Sequence, residues 1–375
     1  MKVAIRKIDR YHLEELELAV AEFLQPQNPA GKKEFNRLKR FFIKPNLLGA
    51  YGPEAAVTTH PLVLEAVIRY LLQNNKEVWI GDSPGGTVNV EQVWQKCGLK
   101  DLAERYPIKL INLSTHKFRE ISYRGYKIRL SEVIWDCEAV INIAKFKTHS
   151  LMAFTGAVKN LYGLVPGMIK SDYHRKYPGM REFAKMITAI YSIVKPCIYY
   201  NMIDGILGMD GAGPSAGNVR NFSLFMGSRS ASALDYQASK LMGFKIQEVP
   251  YLFDALHSDG VLPSRVDIPH SFKHFILPEV DIKTVKISKD VMRFVPGIAS
   301  YAIGKLFFFH PVVSDRCHKC GICVQSCPVN AIVYNSEGLP VVNPNKCIKC
   351  MCCHEMCPFQ AIDIYKSPVA RMIMR

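Results

Sequence analysis

The sequence predicts an α/β domain on a mainly parallel sheet, followed by a small cysteine-rich α+β domain. Three observations carry that expectation. Up to about residue 290, short β-branched runs alternate with amphipathic helical patterns, the signature of a parallel sheet covered by helices. Hydrophobic residues make up 49% of the 375 residues and charged residues 22%, enough apolar side chain for two domains and too little charge for wholesale disorder. Nine of the 12 cysteines lie between Cys317 and Cys357.

Taken in order, Val3–Ile8 reads as a strand, and Leu13, Leu16, Val20 and Phe23 line one face of the helix after it. Phe41–Ile43 is a strand ending at Lys44-Pro45-Asn46. Thr58-Thr59-His60-Pro61 opens a helix over Leu62–Leu72, with proline in the first turn and threonine as the expected cap. Glu77–Ile80 is a strand ending in the loop Gly81-Asp82-Ser83-Pro84-Gly85-Gly86. Further strands are expected at Lys109–Asn112, Val140–Ile143, Ile198–Ile203 and Ser223–Met226, with a hairpin over 120–130 turning at Arg124-Gly125. Ser228–Leu241 reads as a helix closed by Gly243. Lys44–Asn46, the 81–86 loop, Lys145–His149 and Asp204-Gly205 each stand where a strand is expected to stop. Ligands bind beyond the carboxyl ends of strands in open α/β sheets, so one shared site is expected there.

Residues 315–334 and 345–364 are an ungapped internal repeat. Each copy carries C-x2-C-x2-C-x3-C-P, the ligand run of bacterial two-cluster ferredoxins. A short loop aims three thiolates at one cube, and the fourth comes from the other copy. Cys317, Cys320, Cys323 and Cys357 are thus assigned to one [4Fe–4S] cluster, and Cys347, Cys350, Cys353 and Cys327 to a second. A pair of zinc sites is the competing reading; zinc usually takes two separated C-x2-C pairs. Cys352 is expected to be a packed neighbour. The resulting division is 1–288, an apolar linker at 289–312, and a two-[4Fe–4S] ferredoxin-like domain at 313–375.

The net charge is +15, and residues 306–375 contribute only 7 Lys/Arg against 4 Asp/Glu, so the excess lies in the α/β domain. An anionic partner or substrate is implied. The N-terminal segment has no uncharged core of a secretory signal, and the cysteines need a reducing compartment, so a cytoplasmic location is expected. Arg293, Pro296 and Lys305 interrupt the apolar run 291–313, which is expected to be a packed linker and no membrane span, though Phe307-Phe308-Phe309 could touch a membrane surface.

The densest polar signal is 141–167. Lys145 and Lys147 share one side of an extended segment, and Lys159 follows one helix later. Lys145, Lys147, His149, Lys159 and Asp82 are the candidate catalytic residues; Lys44, Asn46 and Asn160 are candidate substrate contacts. A solvated basic face is the plainer alternative for the lysines, a packed histidine for His149, and turn capping for Asp82 and Asp204. The 81–86 loop is neither a dinucleotide fingerprint nor a Walker loop. No nucleic-acid motif or stacking pattern accompanies the basic stretch, so nucleic acid is not an expected partner.

KPN (44–46), TTHP (58–61), GDSPGG (81–86), KFKTH (145–149), TGAVKNLYG (155–163), DG (204–205) and GP (213–214) resemble domain of unknown function family 362 over roughly residues 1–285. The resemblance implies an α/β domain with a C-terminal ferredoxin domain, as in many members, and assigns no reaction. The expected function is a ferredoxin-coupled oxidoreductase acting on a small anionic substrate, partnered by a low-potential electron donor or acceptor protein. The competing readings are an electron-transfer protein that docks a partner enzyme, and a non-redox isomerase or transferase with structural clusters.

Overall fold

The computed structural model describes residues 1–368 apart from Thr87, His274, Ile276 and 286–308. The expected linker at 289–312 therefore lies outside the described residues up to 308, and with it the expectation about a membrane surface. Among the described residues no helix is long and apolar enough to cross a membrane.

The strands of the first domain are β1 (Ala4–Lys7), β2 (Arg40–Lys44), β3 (Glu77–Asp82), β4 (Ile108–Asn112), β5 (Phe118–Tyr123), β6 (Tyr126–Ser131), β7 (Ala139–His149), β8 (Ala153–Thr155), β9 (Ile198–Asp210) and β10 (Asn218–Ser228). The main sheet runs β1-β10-β9-β7-β2-β3-β4, with β8 paired to β7. From β9 through β4 all neighbours are parallel; β1, β10 and β8 pair antiparallel. β5 and β6 form the expected hairpin, with Arg124 and Gly125 at positive φ in its turn.

Strand alternation splits the core in two. Phe42, Val140, Ala144 and Phe146 pack on one face, beneath the helices Met180–Val194, Ala231–Leu241 and Leu252–Asp259. Phe41, Ile43, Ile80, Ile141 and Ile143 pack on the other, beneath Leu13–Leu24 and Pro61–Gln73.

Four local expectations need correction. Lys145–His149 do not follow a strand: they lie inside β7, which runs past the end of β2 because β9 and the short β8 pair with it. Asp204 likewise sits within β9. The helix at Pro61 is capped by His60, whose Nδ1 accepts from Leu62 N (3.2 Å). Thr59 instead ties strand ends together, its Oγ1 accepting from Asn46 N (2.8 Å) and donating to Ile143 O (2.9 Å). The helix expected from Ser228 starts at Ala231 under a Ser230 cap and closes at Met242, with Gly243 in the left-handed region just beyond.

The second domain pairs β11 (Phe309–Val313) with β14 (Ile362–Lys366), and β12 (Ile332–Tyr334) with β13 (Pro340–Val342). Residues 309–312, expected to end the linker, thus belong to this sheet. Single helical turns at Ile322–Gln325 and Cys352–Met356 follow the cysteine loops. The repeat is visible in the backbone. Lys319 and Lys349 both take positive φ, as do Asn330 and Gln360. Ala331 N and Ala361 N each donate to the fourth cysteine sulfur of their copy, both at 3.2 Å.

Candidate functional site between the domains

Two polar networks occupy the sheet edge, and both absorb lysines. Lys44 Nζ lies 2.8 Å from Asp82 Oδ1, with both side chains buried. Asp82 also accepts from Leu47 N and Ser83 N, each at 2.7 Å. Gly163 packs directly on this pair; a Cβ there would collide with Lys44 Nζ and Asp82 Oδ1. Lys145 Nζ is 2.8 Å from Asp204 Oδ2, both fully buried, and the same carboxylate accepts from Tyr11 OH (2.8 Å) and His60 N (3.0 Å). Lys145 and Lys147 do share one face of β7. Lys147, however, donates to Val57 O (2.6 Å), and burial together with Lys159 and Lys145 pushes its amine well below the ordinary lysine range.

A chain of amides runs beside them. Asn46 Nδ2 donates to Asn160 Oδ1 (3.1 Å), Asn160 Nδ2 to Asn142 Oδ1 (2.8 Å), and Asn142 Nδ2 to Asn201 Oδ1 (2.9 Å). Asp235 receives Ala157 N (2.6 Å) and Val158 N (3.0 Å), pinning the short turn Ala157–Asn160 that carries Lys159. Gly156 makes this approach possible, since a Cβ would overlap the Asp235 carboxylate.

These elements form one wall of a cavity of about 700 Å³, counting space open to solvent. Asn46, Asp82, Thr155, Lys159 and Asn160 line it, as do Ser83, Gly85 and Gly86. Lys44, Lys145, Lys147 and His149 do not. The opposite wall is the turn Cys352–Met356 of the second domain, through Cys352, Glu355 and Met356. Gly85 and Gly86 press against Met356 and Ser326 so closely that a Cβ on either would collide. Ser215 Oγ donates to Glu355 O (2.9 Å), Gln360 Nε2 to Ser215 O (3.0 Å) and Tyr51 OH to Cys357 O (3.3 Å), clamping the domains. His149 accepts Leu151 N (3.1 Å) at Nδ1 and sets Nε2 3.4 Å from Glu355 Oε1.

Sequence reasoning missed Lys170, His174, Tyr162, Cys352 and Glu355 as lining residues. Burial, with Lys159 nearby, pushes His174 down to about 3 and keeps it neutral. Lys170 donates to Ser83 O, and burial pushes it down to about 7 against the pull of Asp82. The folded protein therefore releases this proton near neutrality and the unfolded chain near 10.5, so this group's contribution to stability rises with pH across that window. The cavity loses positive charge over the same rise. Anion affinity is expected to fall as pH climbs through about 7, and Lys170→Met should remove that limb; calorimetric titration of a carboxylate at several pH values checks it.

The nine clustered cysteines line two hollows of about 300 and 310 Å³, counting space open to solvent. Cys317, Cys320, Cys323 and Cys357 line the first; Cys327, Cys347, Cys350 and Cys353 line the second. The first hollow takes three cysteines from the first repeat and one from the second; the second takes Cys327 from the first repeat and four from the second, Cys352 among them, a crossed grouping that fits a multi-iron cluster better than a single ion. Cys352 lines both the second hollow and the interdomain cavity.

A parallel α/β domain closed by two cysteine hollows defines an iron–sulfur protein with a ferredoxin-like domain. The chain belongs to the domain of unknown function 362 family, whose model matches residues 42–240; a 4Fe–4S dicluster domain matches residues 316–367. A thylakoid-associated protein of Synechocystis is 27% identical over 236 residues, 63% of this chain and 72% of that one. An uncharacterized polyferredoxin-like protein of Methanocaldococcus jannaschii is 57% identical over 28 residues, 8% of this chain and 17% of its own. The crystal structure of a Thermotoga maritima protein aligns with 68% of this chain and 61% of its own, at a TM-score of 0.38 and 12% identity.

Proposed function

We propose that this iron–sulfur protein is a ferredoxin-coupled oxidoreductase that binds a small anionic substrate in the interdomain cavity. One observation carries the reading: the turn Cys352–Met356 serves two sites at once. It gives Cys353 to the second hollow and gives Cys352, Glu355 and Met356 to the cavity wall. [4Fe–4S] clusters held by the two cysteine sets would supply single electrons. The chain's own residues do the binding. Lys159 faces the cavity from a turn fixed by Asp235, and Lys170 adds charge below neutrality. Lys44 neutralises Asp82. His149, with Nδ1 occupied by backbone N–H groups, holds Nε2 3.4 Å from Glu355 Oε1.

An electron-transfer protein that only docks a partner would show its lysines as a flat basic surface. Here Lys44, Lys145, Lys147 and Lys170 are buried, which favours the enzyme. Cys320 is exposed on the first hollow and offers the side from which a low-potential partner protein would approach. The exposed and half-buried cysteines of both sets favour a reducing, cytoplasmic setting. Anaerobic reduction by a low-potential donor, followed by addition of small acids, tests the proposal. At least one acid should reoxidise the protein, and Lys159→Met should slow that reoxidation at least about tenfold with iron content unchanged. If no acid reoxidises protein with intact clusters, the oxidoreductase reading fails.

A further inference from the structure

We infer that the cavity is built for a small monocarboxylate carrying a hydroxyl or N–H group beside the acid, an inference that rests on the anionic-substrate reading above. Four polar atoms of lining residues have no hydrogen-bond partner among the described residues; one, Glu355 Oε1, is an acceptor on the far wall that also calls for a donor on the ligand. Lys159 Nζ makes no hydrogen bond or ion pair. Thr155 Oγ1 and Asn46 Oδ1 are buried and unpaired. Buried polar atoms left in this way cost free energy unless a ligand or water satisfies them.

Their chemistry specifies the ligand from two ends. An ammonium and a hydroxyl together suit an oxyanion. Asn46 Oδ1 can only accept, and its orientation is fixed. Asn160 Nδ2 is occupied by Asn142 Oδ1, so Asn160 offers an oxygen, and Asn46 must turn its own NH2 there. The ligand must therefore bring a donor as well as a negative charge.

Charge count favours one negative charge over two. Lys44 is matched by Asp82 and Lys145 by Asp204, while Lys170 is spent on backbone carbonyls. Glu355 adds an acid to the same wall, and no arginine lines the cavity among the described residues. A phosphate would need the arginine fork or helix-end amides that this wall does not present.

The test is anaerobic calorimetry on the cluster-loaded wild-type protein with 2-hydroxybutyrate, butyrate, 2-hydroxybutyramide and inorganic phosphate. The hydroxy acid should bind, and loss of either the hydroxyl or the charge should weaken binding about tenfold or more. Thr155→Val should weaken the acids, and Asn46→Leu should erase the preference for the hydroxyl, with iron content reporting folding. Equal binding of butyrate, or tighter binding of phosphate, would overturn this inference and leave the anionic reading standing. Equal binding of the neutral amide, or no binding of any acid, would overturn both.

Discussion

Cys327→Ala is expected to empty the hollow formed by Cys347, Cys350 and Cys353 and to leave the first three cysteines of its own repeat loaded. The grouping of side chains demands it, because Cys327 lines the far hollow and Cys357 makes the reciprocal crossing. Alanine offers no oxygen in place of the thiolate. Iron and acid-labile sulfide should drop from about eight to about four of each per chain. The consequence should reach the α/β domain. The turn Cys352–Met356 lies between Cys350 and Cys357 and forms one cavity wall, so acid binding should be lost with the iron. Cys352→Ala should retain full iron, since the other eight cysteines complete both sets. Loss of iron from the first set would show that the ligands do not cross.

Lys145→Met is expected to be among the most damaging substitutions in the α/β domain, at about 3–5 kcal/mol, through folding and not through chemistry. Lys145 and Asp204 are adjacent across β7 and β9, and neither side chain has any solvent exposure. Removing the ammonium strands a carboxylate held by Tyr11 OH and His60 N alone. Adding Asp204→Leu should recover much of the loss, because an apolar pair of similar bulk avoids the desolvation of both charges. Denaturation midpoints of the cluster-loaded single and double variants decide it. A single variant as stable as wild type would mean that the pair contributes nothing.

The 4Fe–4S dicluster domain was legible because its cysteine spacing is local: three cysteines within seven residues and a proline after the fourth need no tertiary information. The parallel core was legible for a similar reason, since a run such as Phe41–Ile43 announces a strand buried on both faces. The extension of β7 was not. Buried polar residues inside a strand look like a loop until β8 and β9 are seen to pair with them, and the partner of Lys145 lies 59 residues away. The far wall of the cavity was out of reach too, because it depends on how a second domain docks. Lys170 and His174 left a usable signal. They are four apart on one helix, on the side away from Asp172, Arg175 and Lys176, which pair among themselves.

The collision-tight approach of Gly85 and Gly86 to Met356 and Ser326 has a consequence for how such a chain can be inherited. A ferredoxin is usually thought of as a detachable electron carrier, exchangeable for another of similar potential. This one is not. Its residues 352, 355 and 356 are part of the interdomain cavity wall, and the glycine loop lies against Met356 and Ser326 with no room for a Cβ as they stand. A transplanted ferredoxin with other side chains there could accept electrons and still leave the pocket open on one side. The two halves are therefore bound to change together, and recombination between relatives would be tolerated only where the glycine loop and the second cysteine repeat travel as one unit.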